Sequence, residues 1–207
     1  MTVFDARLRR RLADPLARGA KLIDVPWVTP DRLTAAGLAT GLGSAAAAAG
    51  TLWALALVLW LVSRAFDGLD GPLARRRAAG SGSPAGGFFD ITADFVVYGT
   101  TVVGVALGAS RAQVAPWWPF LLVMLAYYIN GTAFLAFSSI AERTGRRIDD
   151  GRSLSFLGGL AEGAETIAVH SLWLLVPGWA GGIAIAWAGV VALSAGQRII
   201  AGFAALT

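Results

Sequence analysis

Residues 67–94 read DGLDGPLARRRAAGSGSPAGGFFDITAD, and the four aspartates in that stretch, Asp67, Asp70, Asp90 and Asp94, govern how the rest of the chain is read. They sit in a sequence of 207 residues that is 56% hydrophobic and only 14% charged, with a mean hydropathy of +0.64. An ionised carboxylate taken out of water is costly unless it is paired or binds a metal. Asp67 and Asp70 are three apart, Asp90 and Asp94 four apart, and on a helix each spacing puts both carboxylates on one face. The link RRRAAGSGSPAGG (75–87) is short enough for two such helices to stand side by side and present both pairs to one space. The nearby arginines are bunched in that link, which favours a divalent cation site over salt bridges. Mg²⁺ or Mn²⁺ suits all-oxygen ligation, and two ions about 3.5–4 Å apart suit phosphoryl displacement.

Working outward, the composition is that of a membrane protein, since soluble domains carry about 25% charged residues. The absence of cysteine excludes disulfides and thiolate metal sites. Six apolar stretches approach the ~20 residues that a bilayer crossing requires: 33–50, 51–74, 88–109, 115–139, 155–176 and 178–203. The first is rich in alanine and glycine and suited to close helix packing. Gly50 is the turn expected between the first two.

Net charge is +4 with a pI near 10.3, but the basic residues are placed as a topology signal, not as a nucleic-acid surface. Arg7, Arg9, Arg10, Arg11, Arg18, Lys21 and Arg32 precede the first span. Arg64, Arg75, Arg76 and Arg77 lead into the link after the second. Arg143, Arg146, Arg147 and Arg152 follow the fourth, and Arg198 lies near the end of the last; Arg111 alone falls on the opposite side. The positive-inside rule then predicts a multi-pass protein of the cell (plasma) membrane with both termini and the aspartates on the cytoplasmic side, its basic residues contacting anionic membrane lipids. No nucleic-acid partner is expected.

The N-terminal 30 residues read separately. Phe4, Leu8 and Leu12 recur every four residues among arginines, as an interfacial amphipathic helix or a solvated basic tail would have it. Broken by Pro15 and without an apolar run before Val25, this stretch is not expected to act as a cleavable leader. Thr29 and Pro30 suit the cap and first turn of the helix that follows. The expected fold is all-α, an integral membrane bundle of six transmembrane helices with an N-terminal interfacial amphipathic helix. Trp117, Trp118, Trp173 and Trp179 are expected near the outer ends of spans, as in an aromatic belt.

The run Asp67-Gly68-Leu69-Asp70-Gly71-Pro72-Leu73-Ala74-Arg75, followed by Gly86, Asp90 and Asp94, resembles the signature D-x2-D-G-x2-A-R-x8-G-x3-D-x3-D of the CDP-alcohol phosphatidyltransferases. All eight defining positions match, with ten residues instead of eight between Arg75 and Gly86. The extra pair falls in a glycine- and serine-rich loop, where insertion costs little. The resemblance implies a metal-dependent enzyme of phospholipid synthesis. It would transfer a phosphatidyl or phospho-alcohol group from a CDP-linked lipid or alcohol donor to an alcohol acceptor, with release of CMP. It further implies Asp67, Asp70, Asp90 and Asp94 at one or two Mg²⁺ or Mn²⁺ ions, with Asp94 also the catalytic base. Asp67, Gly71, Ala74, Arg75 and Gly86 would contact CDP, and a homodimer is implied as well. The family's P-N-x-x-T motif is here Pro30-Asp31-Arg32-Leu33-Thr34. Residues 1–30 then form a cytoplasmic juxtamembrane segment and 31–207 the six-helix transmembrane catalytic domain.

The acceptor pocket is expected around the fifth span, where Glu162, Glu165 and His170 lie in LAEGAETIAVH (160–170). Relatives using phosphorylated acceptors carry a G-K-x-K-T pattern here, whereas this chain has Gly163-Ala164-Glu165-Thr166. Two carboxylates repel a phosphate, which tilts the expectation toward an uncharged or amino alcohol. Arg143, Arg146, Arg147, Arg152 and Arg198 keep open a phosphorylated polyol such as glycerol phosphate or inositol phosphate. At about 100° per residue, His170 points away from Glu165 and only partly toward Glu162. Two rival functions are a ubiquinone-pathway-type prenyltransferase, whose two acidic motifs lie far apart in longer chains, and a small cation transporter, in which Arg75 and the glycines would have no evident purpose.

Overall fold

The computed structural model describes residues 3–77, 83–146 and 161–207, with side chains from residue 13 onward, and among these every regular element is helical. In order they are α1 (Val3–Leu22), α2 (Pro30–Ala49), α3 (Trp53–Arg77), α4 (Pro84–Arg111), α5 (Trp118–Arg143), α6 (Gly163–Leu175) and, after a 3-10 turn at Pro177–Trp179, α7 (Ala180–Leu206). Helices α2 to α7 fall on the six apolar stretches in sequence. Among the described residues, α4, α5 and the stretch Pro177–Leu206 are long and apolar enough to cross a membrane. Helix α2 is rich in alanine and glycine, α3 carries Arg64 at its middle and Asp67 and Asp70 beyond it, and α6 has 13 residues. Exposed Leu, Val, Ile and Phe side chains such as Val58, Val103, Leu121, Leu125 and Leu193 clothe the outside, where a water-soluble bundle would be polar.

Local chemistry sets the boundaries. The Thr29 hydroxyl accepts from the Arg32 N–H at 3.2 Å and Pro30 opens α2, as its sequence predicts. At the other end the turn into α3 is tighter than a lone glycine would make it. Gly50 keeps an ordinary φ of −83°, and the left-handed residue is Thr51, at φ 61°. Ser83 caps α4 by accepting from the Gly86 N–H, with Pro84 in the first turn. Helix α1 runs through Pro15 without a break, contrary to the interruption expected there. Proline costs a helix one N–H and one carbonyl partner, a loss a long helix can carry.

Small residues let α2 press against both α3 and α4. A Cβ on Gly37 would stand 3.3 Å from the Ser63 carbonyl oxygen, and one on Gly41 would strike Val97. Toward the far end, Cβ atoms on Gly104 and Gly108 of α4 would run into the backbone carbonyls of Ala45 and Ala48. Ser44 and Ser63 donate across the contacts, to the carbonyls of Ala56 (2.8 Å) and Gly37 (2.6 Å). Helix α5 packs chiefly on α7, and α6 touches α3, α4 and α7. The central core joins both groups through Trp60, Val97, Val102, Phe120, Val123, Trp173, Trp187 and Val191. Trp173 is fully buried there, edge-on to Phe120. That corrects its expected place in an outer aromatic belt; Trp117, Trp118 and Trp179 are exposed.

A second, smaller cluster fixes the half of α3 that carries Asp67 and Asp70. Leu73 is fully buried with Ala20 of α1 and Leu33 of α2, and Phe66 and Leu69 pack against them. Positions 66, 69 and 73 form one stripe of α3 and positions 67, 70 and 74 the next. Helix α1 approaches closely at Gly68, 3.4 Å from Leu16 by its would-be Cβ, and meets Leu69 at Gly19. The connector after α1 is tied down by Asp24, which accepts from Arg76 Nε at 2.7 Å and from Arg77 Nε at 2.8 Å. Arg77 also donates to the Val25 carbonyl at 2.8 Å.

Candidate active site

Helices α3 and α4 bring the two aspartate pairs to one region, as their spacing predicts, and the cation found among them is an arginine. Arg64 lies one turn before Asp67 on α3. Its Nη1 donates to Asp94 Oδ1 of α4 at 2.7 Å and stands 3.6 Å from Asp67 Oδ2. Asp70 is buried and accepts from the Thr34 hydroxyl of α2 at 2.6 Å. Asp90 is half-buried and lies within electrostatic reach of both Asp70 and Asp94. A small cavity between the helices is lined by Thr34, Gly37, Leu38, Arg64, Asp67, Ala93, Asp94 and Val97. Three helices therefore supply the site, and α2 does so only because its glycines allow the approach.

The donor set fits a hard divalent cation: the ionisable acceptors are all carboxylate oxygens, and two of the four carboxylates meet one guanidinium. As the side chains stand, no three acidic or histidine side chains among the described residues close on a single point. Arg64 occupies space between Asp67 and Asp94, and Asp70 is turned to Thr34. Ligation would draw the carboxylates together.

The other signature residues border this region. A Cβ on Gly71 would meet the Arg75 guanidinium at 3.3 Å, so the exposed Arg75 folds back over that glycine, with Ala74 half-buried beside it. At the start of α4, a Cβ on Gly86 would lie 3.1 Å from Asp31 Oδ1. The residue replacing the family's asparagine thus faces the signature glycine across the α2–α4 contact.

The acceptor-pocket candidates divide. Glu162 is buried at the N-cap of α6, and Glu165 is half-buried in its first turn. Arg198 is buried on α7, donating to Asn130 Oδ1 at 3.1 Å with its guanidinium 5.8 Å from the Phe134 ring. Arg143 is exposed at the end of α5, and Arg146, also exposed, donates to the Ala205 carbonyl at 3.3 Å. Arg147 and Arg152 lie outside the described residues. His170 does not belong with these. It is fully buried, its Nε2 is 2.9 Å from the Tyr127 hydroxyl, and Trp60, Tyr98 and Trp173 surround it with ring centroids 4.7–5.5 Å away. Trp187 completes the chain by donating to the Tyr127 hydroxyl at 2.7 Å. The helical phase that turns His170 away from Glu165 turns it into the core, where its Nδ1 has no hydrogen-bond partner among the described residues.

Sequence reasoning missed Arg64 by counting it with the basic link. The available signal was its i, i+3 relation to Asp67 within an apolar run, where an ionisable residue normally pairs with another.

Comparison with known proteins places the chain in a family. The profile of the CDP-alcohol phosphatidyltransferase family matches residues 27–194. The inner membrane protein YnjF of Escherichia coli (strain K12) is 37% identical over 182 residues, covering 86% of this chain and 84% of its own. Two crystal structures of the Mycobacterium tuberculosis phosphatidylinositol phosphate synthase PgsA1 share the fold at 19% identity. The one in complex with manganese and citrate gives a TM-score of 0.69, covering 91% of this chain and 88% of its own. The one with CDP-DAG bound gives 0.68, covering 93% and 94%. The chain belongs to the CDP-alcohol phosphatidyltransferase family and is an enzyme of that class.

Proposed function

We propose that this enzyme transfers a phosphatidyl group from CDP-diacylglycerol to the hydroxyl of an uncharged or amino alcohol, releasing CMP, in phospholipid synthesis. The observation that carries the proposal is the meeting of α3 and α4 carboxylates in one place, with the whole family signature around them. The CDP-DAG complex of PgsA1, a protein of the same fold, supports a lipid-linked donor.

Asp67, Asp70, Asp90 and Asp94 would hold one or two Mg²⁺ or Mn²⁺ ions, a choice supported by the manganese complex of PgsA1. When bound, such ions neutralise the diphosphate and acidify the attacking hydroxyl. Asp67, Gly71, Ala74, Arg75 and Gly86 line the CDP subsite, where the small residues admit the nucleotide and Arg75 donates to a phosphate oxygen. Asp94 accepts the acceptor's proton as its oxygen bonds to the lipid-linked phosphorus. The bond from that phosphorus to CMP breaks, and CMP leaves with the electron pair.

The alcohol is chosen by Glu162 and Glu165, whose carboxylates favour a neutral or cationic headgroup. Arg198, buried beside Asn130, favours a second reading with a phosphorylated polyol such as inositol phosphate or glycerol phosphate, and PgsA1 is named for a product of that kind. Arg143, Arg146, Arg147 and Arg152 would join Arg198 in that case.

In the bilayer, helices α2 to α7 form six spans in a plasma-membrane protein, with the termini and the aspartates on the cytoplasmic side and α1 lying amphipathically in the interface. Helix α2, flanked by α3 and α4, needs little apolar surface of its own. Residues 1–30 are the juxtamembrane segment and 31–207 the catalytic domain, acting in a homodimer.

The test is CMP release by the purified chain from CDP-diacylglycerol with Mg²⁺ or Mn²⁺, against serine, inositol, inositol phosphate, glycerol phosphate, phosphatidylglycerol, ethanolamine and choline. Turnover with an unphosphorylated alcohol and not with the phosphates supports the first reading, and the reverse supports the second. No CMP with any acceptor refutes both.

A further inference from the structure

Arg64 stands outside the family signature, yet it makes the shortest charged contact within the aspartate cluster. Its guanidinium touches two rings, a hydroxyl and two carboxylates, while its buried Nε has no hydrogen-bond partner among the described residues. The guanidinium carbon lies 5.1 Å from the Trp60 ring centroid and 5.0 Å from that of Tyr98, and since those two rings meet edge to face with centroids 5.8 Å apart, the cation rests against the pair from one side. Nη2 donates to Ser63 Oγ at 3.1 Å, and that hydroxyl in turn donates to the Gly37 carbonyl at 2.6 Å. Nη1 is left pointing at Asp94 Oδ1 at 2.7 Å, with Asp67 Oδ2 at 3.6 Å. The residue is 8% exposed. A salt-bridging arginine on a protein surface is solvated; this one is buried.

We infer that Arg64 is a positioning residue for the transfer reaction, a built-in cation that fixes the Asp94 carboxylate by one oxygen and leaves the other to take the acceptor's proton. The inference rests on the reading of Asp94 as the base. Planarity matters as much as charge. A guanidinium can lie against aromatic rings and donate from its edge at the same time, whereas an ammonium has no flat face and no fixed fork. Because Nη1 also approaches Asp67, its positive charge competes with any cation entering the same carboxylates. Removing that charge should therefore impair the chemical step while leaving metal binding intact or stronger. A residue that merely held the helices together would lose both at once.

The experiment compares full-length wild type, Arg64→Gln and Arg64→Lys in detergent. Mn²⁺ binding is titrated by electron paramagnetic resonance, and CMP release from CDP-diacylglycerol is measured with the alcohols named above. Arg64→Gln should lower kcat by about 100-fold, as a displaced catalytic group does, with the donor KM held within about threefold. It should bind Mn²⁺ at least as tightly as wild type, because a repelling charge has gone. Arg64→Lys should recover about tenfold of the lost turnover at wild-type Mn²⁺ affinity. Unchanged turnover in Arg64→Gln, or Mn²⁺ affinity lost in step with turnover, overturns the inference. If Arg64→Gln does not fold, Arg64→Lys decides alone: a reduced kcat at wild-type Mn²⁺ affinity supports positioning, and wild-type kcat overturns it. If wild type releases no CMP, the functional reading falls, while the Mn²⁺ comparison still decides whether the Arg64 charge opposes the metal.

Discussion

Replacing Thr34 by valine removes one hydroxyl and changes almost nothing else in shape, and the structure says what that hydroxyl is worth. It donates to Asp70 Oδ2 at 2.6 Å and lies 3.2 Å from the Pro30 carbonyl. One proton serves one acceptor well, and the shorter contact to a charged oxygen is where it belongs. Asp70 is 5% exposed, so water cannot replace the lost donor. A hydrogen bond to a buried charged group contributes about 1.5–3 kcal/mol, which at about 1.4 kcal/mol per decade is roughly one to two orders of magnitude in an equilibrium constant. The same range, about 10–100-fold, is what loss of a partner behind a metal ligand typically costs. Thr34→Val should accordingly weaken Mn²⁺ binding by about 10–100-fold, and Thr34→Ser, which keeps the donor, should stay close to wild type. Electron paramagnetic resonance titration of Mn²⁺ and CMP release on the same preparations read both effects. If the valine protein binds Mn²⁺ like wild type, Thr34 does not orient a metal-binding carboxylate and the reasoning fails.

Three further outcomes test other parts of the structure. Asp94→Asn should reduce CMP release by at least about 100-fold, the usual share of a general base, while donor binding measured by equilibrium dialysis with labelled CDP-diacylglycerol persists; undiminished turnover would remove Asp94 from the proton transfer. Gly108→Ala sets a helix-propensity gain of about 1 kcal/mol against overpacking of about 1–3 kcal/mol. The new methyl meets the Ala48 backbone carbonyl, which cannot move without shifting α2. Thermal unfolding should thus show a lower midpoint for Gly108→Ala and no loss for Gly189→Ala, whose Cβ would point into open space. Equal midpoints would contradict the close α2–α4 contact. Finally, the hydrogen bonds of Arg76 and then Arg77 hold the Asp24 carboxyl below its ordinary pKa of 3.8. A group depressed on folding lends stability above its unfolded pKa and loses it as pH falls through the folded value. The connector should therefore be held at neutral pH and loosen only below about pH 4. Hydrogen exchange over 23–28 at neutral pH should be faster in Asp24→Asn than in wild type, and faster in wild type at high salt; identical protection in both would show that the pair does not hold the connector.

Most of the helix inventory was legible because bilayer-length apolar runs and their breakers are properties of contiguous sequence. Thr29 and Pro30 signalled the start of α2 through backbone chemistry that needs no tertiary partner. The spacing of Asp67, Asp70, Asp90 and Asp94 likewise encoded which face each carboxylate takes. What could not be read was which neighbouring helix each face would meet. His170 and Trp173 looked like pocket and belt residues until the α5–α7 pairing closed over them, and Arg64 looked like a loop cation until the Trp60–Tyr98 ring pair was seen against it. The left-handed residue at Thr51 was hidden for a different reason: the adjacent Gly50 is the better candidate by intrinsic preference, and packing of α2 on α3 overrides it.

The order of residues along the chain also bears on how such enzymes diversify. All four aspartates and Thr34 lie on α2, α3 and α4, whereas Glu162, Glu165, Asn130 and Arg198 lie on or at the ends of α5, α6 and α7. The features proposed to carry out the transfer thus lie in one contiguous stretch of chain, and those proposed to distinguish one alcohol from another in a second. If the proposed roles hold, substitutions that change the alcohol fall on a later stretch of chain than the carboxylates, so one can vary in sequence while the other is kept.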